Sequence, residues 1–195
     1  MRTIRIGLLF SLSLILCFAV GCSPAEDATT LYQSFLDNAV DAAYFGGERR
    51  YARDFFSSDD DENVYAIFDV TSDGSPELVL RSPWGIDIFT SGPDGLICIY
   101  SGSSYEKLLN DGSLLYERHG AAPAHVDYAH IQVKNGQEPT RMELSMYDWN
   151  EDGLYNGEDR YYLEDTEISE NEFKQQIDSI FKIGWDKPKW SPYHP

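Results

Sequence analysis

Val64-Tyr65-Ala66-Ile67-Phe68-Asp69-Val70-Thr71-Ser72-Asp73-Gly74-Ser75-Pro76-Glu77-Leu78-Val79-Leu80-Arg81 decides the fold. Two apolar runs, 64–70 and 77–81, flank a segment of Asp, Ser, Gly and Pro, which predicts two β-strands joined by a short turn. The same alternation continues along the chain. Strands are expected at 86–90 and 96–100, joined through Ser91-Gly92-Pro93-Asp94-Gly95, and at 113–117 after Asp111-Gly112. Others are expected at 126–133 before Asn135-Gly136, at 141–147 and at 160–163. Strands this close together leave no room for crossover helices, so they predict an antiparallel meander.

Helical spacing flanks the strands. Tyr32, Phe35, Leu36, Ala39, Val40 and Ala43 draw one apolar stripe, predicting a helix over 30–45 that stops at Gly46-Gly47. Ser169 and Glu172 form a capping box, with Ile168 and Phe173 as the hydrophobic staple around it. Phe173, Ile177, Ile180 and Phe181 make that helix's apolar face, and Gly184 ends it. The expected fold class is α+β: an antiparallel β-meander sheet with N-terminal and C-terminal helices packed on one face. The expected organisation is a signal at 1–21, a tether at 22–29, a single domain at 30–184 and an irregular tail at 185–195. Trp185, Trp190 and Tyr193 of the tail are expected to fold onto the domain, with sugar or partner stacking as the alternative.

Leu16-Cys17-Phe18-Ala19-Val20-Gly21-Cys22 ends an apolar stretch that begins at Ile6 after Arg2 and Arg5. A positive start, a short apolar core and small residues before a cysteine are the parts of a bacterial lipoprotein signal. Cys22 is therefore the expected first mature residue and lipidation site. The apolar core falls short of the roughly 20 residues that span a bilayer. Ala19 stands where lipoproteins more often carry Leu, and Ala19 and Gly21 also suit ordinary signal peptidase, which would release a soluble protein. Acylation implies a cell-membrane, lipid-anchored location on the extracytoplasmic side.

Without Arg2 and Arg5, 13 basic residues face 33 acidic ones, a net charge of −20. Such a chain repels nucleic acid and suits cations or a cationic envelope ligand. Cys98 then stands alone in an apolar run, the setting of a small core residue. His119, His125 and His130 fall near each other around a loop and read as surface histidines rather than a zinc set.

Two segments repeat one chemical pattern. In 69–78, Asp69, Thr71, Asp73 and Glu77 hold loop positions 1, 3, 5 and 9, with Ser75 at 7. In 148–159, Asp148, Asn150, Asp152 and Asn156 hold those positions, with Leu154 at 7 and Asp159 at 12. Each has glycine at position 6. Calcium takes six to eight oxygen ligands, and alternate positions along a tight loop can turn toward one centre. The same residues also make plain hairpin turns through their own backbone bonds. Thr71 and the Asp at position 12 would make the sites weak.

The order of these pieces resembles a loose group of uncharacterised Gram-positive-type bacterial lipoproteins. In them a lipobox and helix precede a strand ending in Asp-x-Asn/Thr-x-Asp-Gly-x-Pro-Glu-Leu. A β-meander and a Ser-x-x-Glu-capped helix follow. Residues 68–78 and 161–173 carry the likeness, and the chain departs from it at Gly120 to His125, where relatives often have a glycine-rich stretch. The resemblance implies calcium at Asp69, Asp73 and Glu77 and no known reaction.

The expectation is a membrane-tethered, calcium-supported module that binds an envelope or extracellular ligand, with no catalytic residues assigned. The alternatives are an exported hydrolase with acids such as Asp127 or Glu143 in a sheet-face groove, and a ligand-free structural or immunity-type lipoprotein. Cys22→Ser should abolish acylation and release the protein from membranes. Mass spectrometry of the mature N-terminus checks this, and an unmodified wild-type Cys22 would refute it.

Overall fold

A strand that is apolar on alternate residues buries one face; one that is apolar throughout must be covered on both. In Glu77-Leu78-Val79-Leu80 every residue is buried. Leu78 and Leu80 join one cluster with Phe89 and Leu96, while Val79 joins another with Ile86 and Ile88. That two-sided demand sets the architecture of the computed structural model, which describes residues 24–56, 62–120, 125–150 and 156–194.

In chain order the elements are α1 (Pro24–Leu36), β1 (Ala42–Ala43), β2 (Arg49–Arg50), β3 (Val64–Phe68), β4 (Glu77–Ser82), β5 (Gly85–Gly92), β6 (Gly95–Ser103) and β7 (Glu106–Leu108). Then come β8 (Leu114–His119), β9 (His125–Gln132), β10 (Thr140–Tyr147), β11 (Arg160–Leu163), β12 (Thr166–Ile168), α2 (Glu170–Phe181) and β13 (Ser191–Pro192). The fold is α+β with a β-meander, and the strands divide into two sheets. The first runs β13-β3-β4-β5-β6-β1-β2 and the second β12-β11-β10-β9-β8-β7. All neighbours are antiparallel except β1 beside β6.

Each helix covers one face of a sheet, and the division into two sheets makes those faces different ones. Tyr32, Phe35 and Leu36 of α1 pack with Leu78, Leu80 and Phe89 on the outer face of the first sheet. Phe173, Ile177 and Ile180 of α2 pack with Leu115, Val126, Tyr128 and Leu144 on the outer face of the second. Between the sheets lie Val79, Ile86 and Ile88 against Leu114, Ala129 and Ile131. The layers are therefore helix, sheet, sheet, helix.

The first helix differs from its expected span of 30–45. It starts at Pro24, inside the stretch read as a tether, where proline's missing N–H costs nothing in the first turn. It ends at Leu36 because Asn38 turns left-handed at φ 56, and Ala42–Ala43 pairs with β6 instead. Ala39, Val40 and Ala43 fit the helical stripe by spacing alone. The second helix is capped as expected: Ser169 accepts the Glu172 N–H, and Glu172 returns the bond to Ser169.

The tail is a strap. Asn110 in the β7–β8 turn donates to the Ile183 carbonyl at 2.9 Å and to Asp186 at 2.7 Å, and accepts the Lys187 N–H at 2.8 Å. Trp190 joins the inter-sheet core under Arg81, β13 pairs with β3, and Tyr193 stacks on Phe56 with centroids 4.0 Å apart. The tail thus contains a strand rather than being wholly irregular, and Trp190 and Tyr193 fold onto the domain. Trp185 stays half exposed beside Phe181.

Phe89 sits at the centre of the first cluster, 5.1 Å from both Phe35 and Phe55. Phe89→Ala should cost about 3–5 kcal/mol, whereas Ser169→Ala, which removes only the cap, should cost about 1 kcal/mol. Urea unfolding of the two variants checks the ranking.

Candidate functional site

Strand β9 shows how a groove arises. Val126 and Tyr128 point outward to α2, so His125, Asp127, Ala129 and Ile131 point inward. Ala129 and Ile131 are covered by the first sheet. Asp127 and His125 lie beyond that cover. The inward residues of β10, Arg141, Glu143, Ser145 and Tyr147, are polar or amphipathic along their whole length. Outward Met142, Leu144 and Met146 pack with the α2 cluster. The second sheet therefore overhangs the first, and its uncovered inner face forms an open groove of about 580 Å³.

The floor is ordered by neighbouring strands. Ser145 is paired with Asp127 on β9 and Tyr162 on β11, and its hydroxyl donates to Asp127 Oδ1 at 3.0 Å. His125 Nε2 lies 3.5 Å from Asp127 Oδ2, and its ring stacks on Tyr147. Tyr147 meets Tyr162 edge to face at 5.8 Å. Arg141 Nε bonds Glu143 Oε1 at 2.6 Å, and its guanidinium lies over Tyr116. Arg160 stacks over Trp149 at 3.5 Å.

Asp127 and Glu143 thus share one groove, as the hydrolase reading expects. Both are already engaged, by Ser145 and Arg141. Asp127 stands between Ser145 and His125, so the histidine does not reach the hydroxyl as a base would need to. Elsewhere Ser113 stands between Asp111 (2.6 Å) and His130 (2.8 Å), again not the order in which a histidine links acid to nucleophile. The three histidines do not meet: His119 contacts Glu117, His125 the groove and His130 Ser113.

The first acidic loop is closed by its last acid. Buried Glu77 accepts the Val70 N–H at 2.8 Å and the Thr71 N–H and hydroxyl, both at 3.2 Å. Burial pushes the Glu77 carboxyl above its ordinary value, against the lowering pull of those donors. Asp69 Oδ2 accepts the Gly74 N–H at 3.1 Å, with Gly74 at φ 89, and Asp73 Oδ1 accepts the Ser75 N–H at 2.8 Å. Asp69 Oδ1 is buried without a hydrogen-bond partner. The loop leans on the second sheet, where Ser72 donates to the Asp111 carbonyl at 3.3 Å. A side chain at Gly112 would meet the Val70 carbonyl oxygen at 2.5 Å.

The second loop closes alike. Asp159 accepts the Trp149 N–H at 2.9 Å and the Asn156 N–H at 2.7 Å, and Glu158 N–H bonds Asn156 Oδ1 at 2.9 Å. Asp148 is buried and Asn150 donates to Glu158. Asp152 and Leu154 lie outside the described residues, as does Cys22. Among the described residues no three His, Cys, Asp or Glu side chains converge as a ready metal shell.

Sequence reasoning named Asp127 and Glu143 but missed Arg141, Ser145, Tyr147, Trp149, Arg160 and Tyr162. Their signal is present: residues 141–147 alternate apolar with polar, but a strand whose polar face looks inward reads like one whose polar face meets water.

No protein-family model, curated protein or solved structure matches the chain.

Cys98 is buried, with its Sγ 3.1 Å from the Tyr100 carbonyl oxygen. Burial, then the nearby Asp87 carboxylate, pushes its thiol up to about 12. At pH 7–8 a thiol reagent should label it in the unfolded chain and barely in the folded one; fast native labelling would refute this.

Proposed function

We propose that this chain is a lipid-anchored, extracytoplasmic binding module that offers the groove of its second sheet to a ligand, with calcium supporting its acidic loops. The groove carries the reading. It joins aromatic rings to fixed polar pairs on a rigid sheet, the composition of a binding site. The Cys22 signal supports the location, and the high acidic charge keeps the domain from anionic surfaces.

The fit to calcium rests on the first loop. Asp69 Oδ1 is a buried oxygen without a hydrogen-bond partner, and a cation would satisfy it. Glu77, held by backbone donors, would serve mainly as the loop's clasp. The hydrolase reading keeps one supporting observation, the shared groove of Asp127 and Glu143, but their engagement by Ser145 and Arg141 favours recognition over proton transfer.

Hydroxyl-radical footprinting of the membrane-purified protein tests the groove. Native cell-envelope material should protect Tyr147 and Tyr162 while leaving Trp185 unchanged; equal oxidation with and without envelope would refute the binding role. Melting temperature should rise with millimolar calcium and fall back in chelator, by mass action on the folded state. Asp69→Asn should remove most of the rise. Identical melts in both would leave the loops as turns.

A further inference from the structure

Resting on the groove reading above, we propose that the groove's ligand is an uncharged glycan. Three features select this class. First, the aromatic rings are set in advance. The Tyr147 ring stacks against His125 and stands near-perpendicular to the Tyr162 ring, 5.8 Å away, and both tyrosines line the groove. A sugar ring has an apolar C–H face, which packs on an aromatic face, and an ordered ring binds it with less entropy to lose.

Second, the polar groups beside the rings come as adjacent partners. Ser145 and Asp127 are 3.0 Å apart, and Arg141 and Glu143 are 2.6 Å apart. Neighbouring hydroxyls on a sugar both donate and accept. A carboxylate beside a hydroxyl, or a guanidinium beside a carboxylate, offers the matching mixture. Asp127, Glu143, Glu164 and Asp165 line the groove against Arg141 and Arg160, an acid surplus that turns away anionic glycans, while Ser145 and Arg141 engage Asp127 and Glu143 and leave mixed donors and acceptors for a neutral one.

Third, the backbone is spent. The β9, β10 and β11 ladders are paired through the groove floor, so an extended peptide finds no free row of N–H and C=O groups on that floor, and the sheet's edge lies beyond it at β12. Among the described residues the lining forms an open trough rather than an enclosed hole for a peptide's anchor side chain. A ligand recognised through side chains alone, lying in an open trough, fits a polysaccharide.

The test takes the native envelope as the probe in three portions: untreated, digested with protease, and oxidised with periodate, which cleaves the carbon–carbon bonds of vicinal diols. Footprint protection of Tyr147 and Tyr162 should survive protease and disappear after periodate. Protection that survives periodate but not protease would overturn the glycan and leave the groove a protein-binding site. Absence of protection by untreated envelope would defeat the groove reading itself, and the glycan with it. Polysaccharide released from the envelope should bind Tyr162→Ala about tenfold more weakly than wild type. It should bind Ser145→Ala, which keeps the rings in place, about fivefold more weakly. Unchanged binding by both folded variants would overturn the proposal.

Discussion

Everything in this domain follows from strands that are apolar on both faces. Val79, Ile86 and Ile88 cannot share a surface with Leu78, Leu80 and Phe89, because side chains alternate across a strand. The first sheet must therefore be covered twice, by α1 on one side and by the second sheet on the other. The second sheet meets the same demand at Leu114 and Leu115, adjacent residues that face the first sheet and α2. The helices are covers for an already paired core, which explains how α1 can be short and still buried at Tyr32 and Phe35.

The overhang is the other side of the same constraint. A sheet is continuous in its hydrogen bonds, but its cover is not. Along β9 the inward residues pass from Ile131 and Ala129 to Asp127 and His125 where the cover stops. Amino-acid type tracks that boundary residue by residue. The groove owes its shape to where the inter-sheet core ends, and its chemistry to the polar residues required beyond that edge.

Most strands were legible because turn residues punctuate apolar runs, and α2 was legible because its cap is local chemistry between Ser169 and Glu172. What was not legible depends on distant partners. The division into two sheets turns on which strand stops pairing between β6 and β7, and no local residue announces it. Ala42–Ala43 becomes a strand only because β6 offers a parallel edge, and the minimal β13 exists only because β3 does. For the groove, Asp127 and Glu143 could be singled out as acids within strands. Tyr147 and Tyr162 gained meaning only once pairing set them beside each other. The acidic loops were legible in spacing but not in orientation, since Glu77 and Asp159 turn toward backbone N–H groups.

The strap has a consequence for how the chain is made. Tyr193 stacks on Phe56 and accepts a hydrogen bond from Asn38, 155 residues earlier. Contacts between such distant positions are slow to form, because the loop they close must first be brought together. Until the ribosome has added Ser191 and Pro192, the β3 edge has no partner and the inter-sheet core lacks Trp190. A nascent chain can thus build its meander early yet keep one seam open until these residues emerge. Translation stopped before Ser191 leaves an unpaired strand edge, the kind of surface that draws chains together.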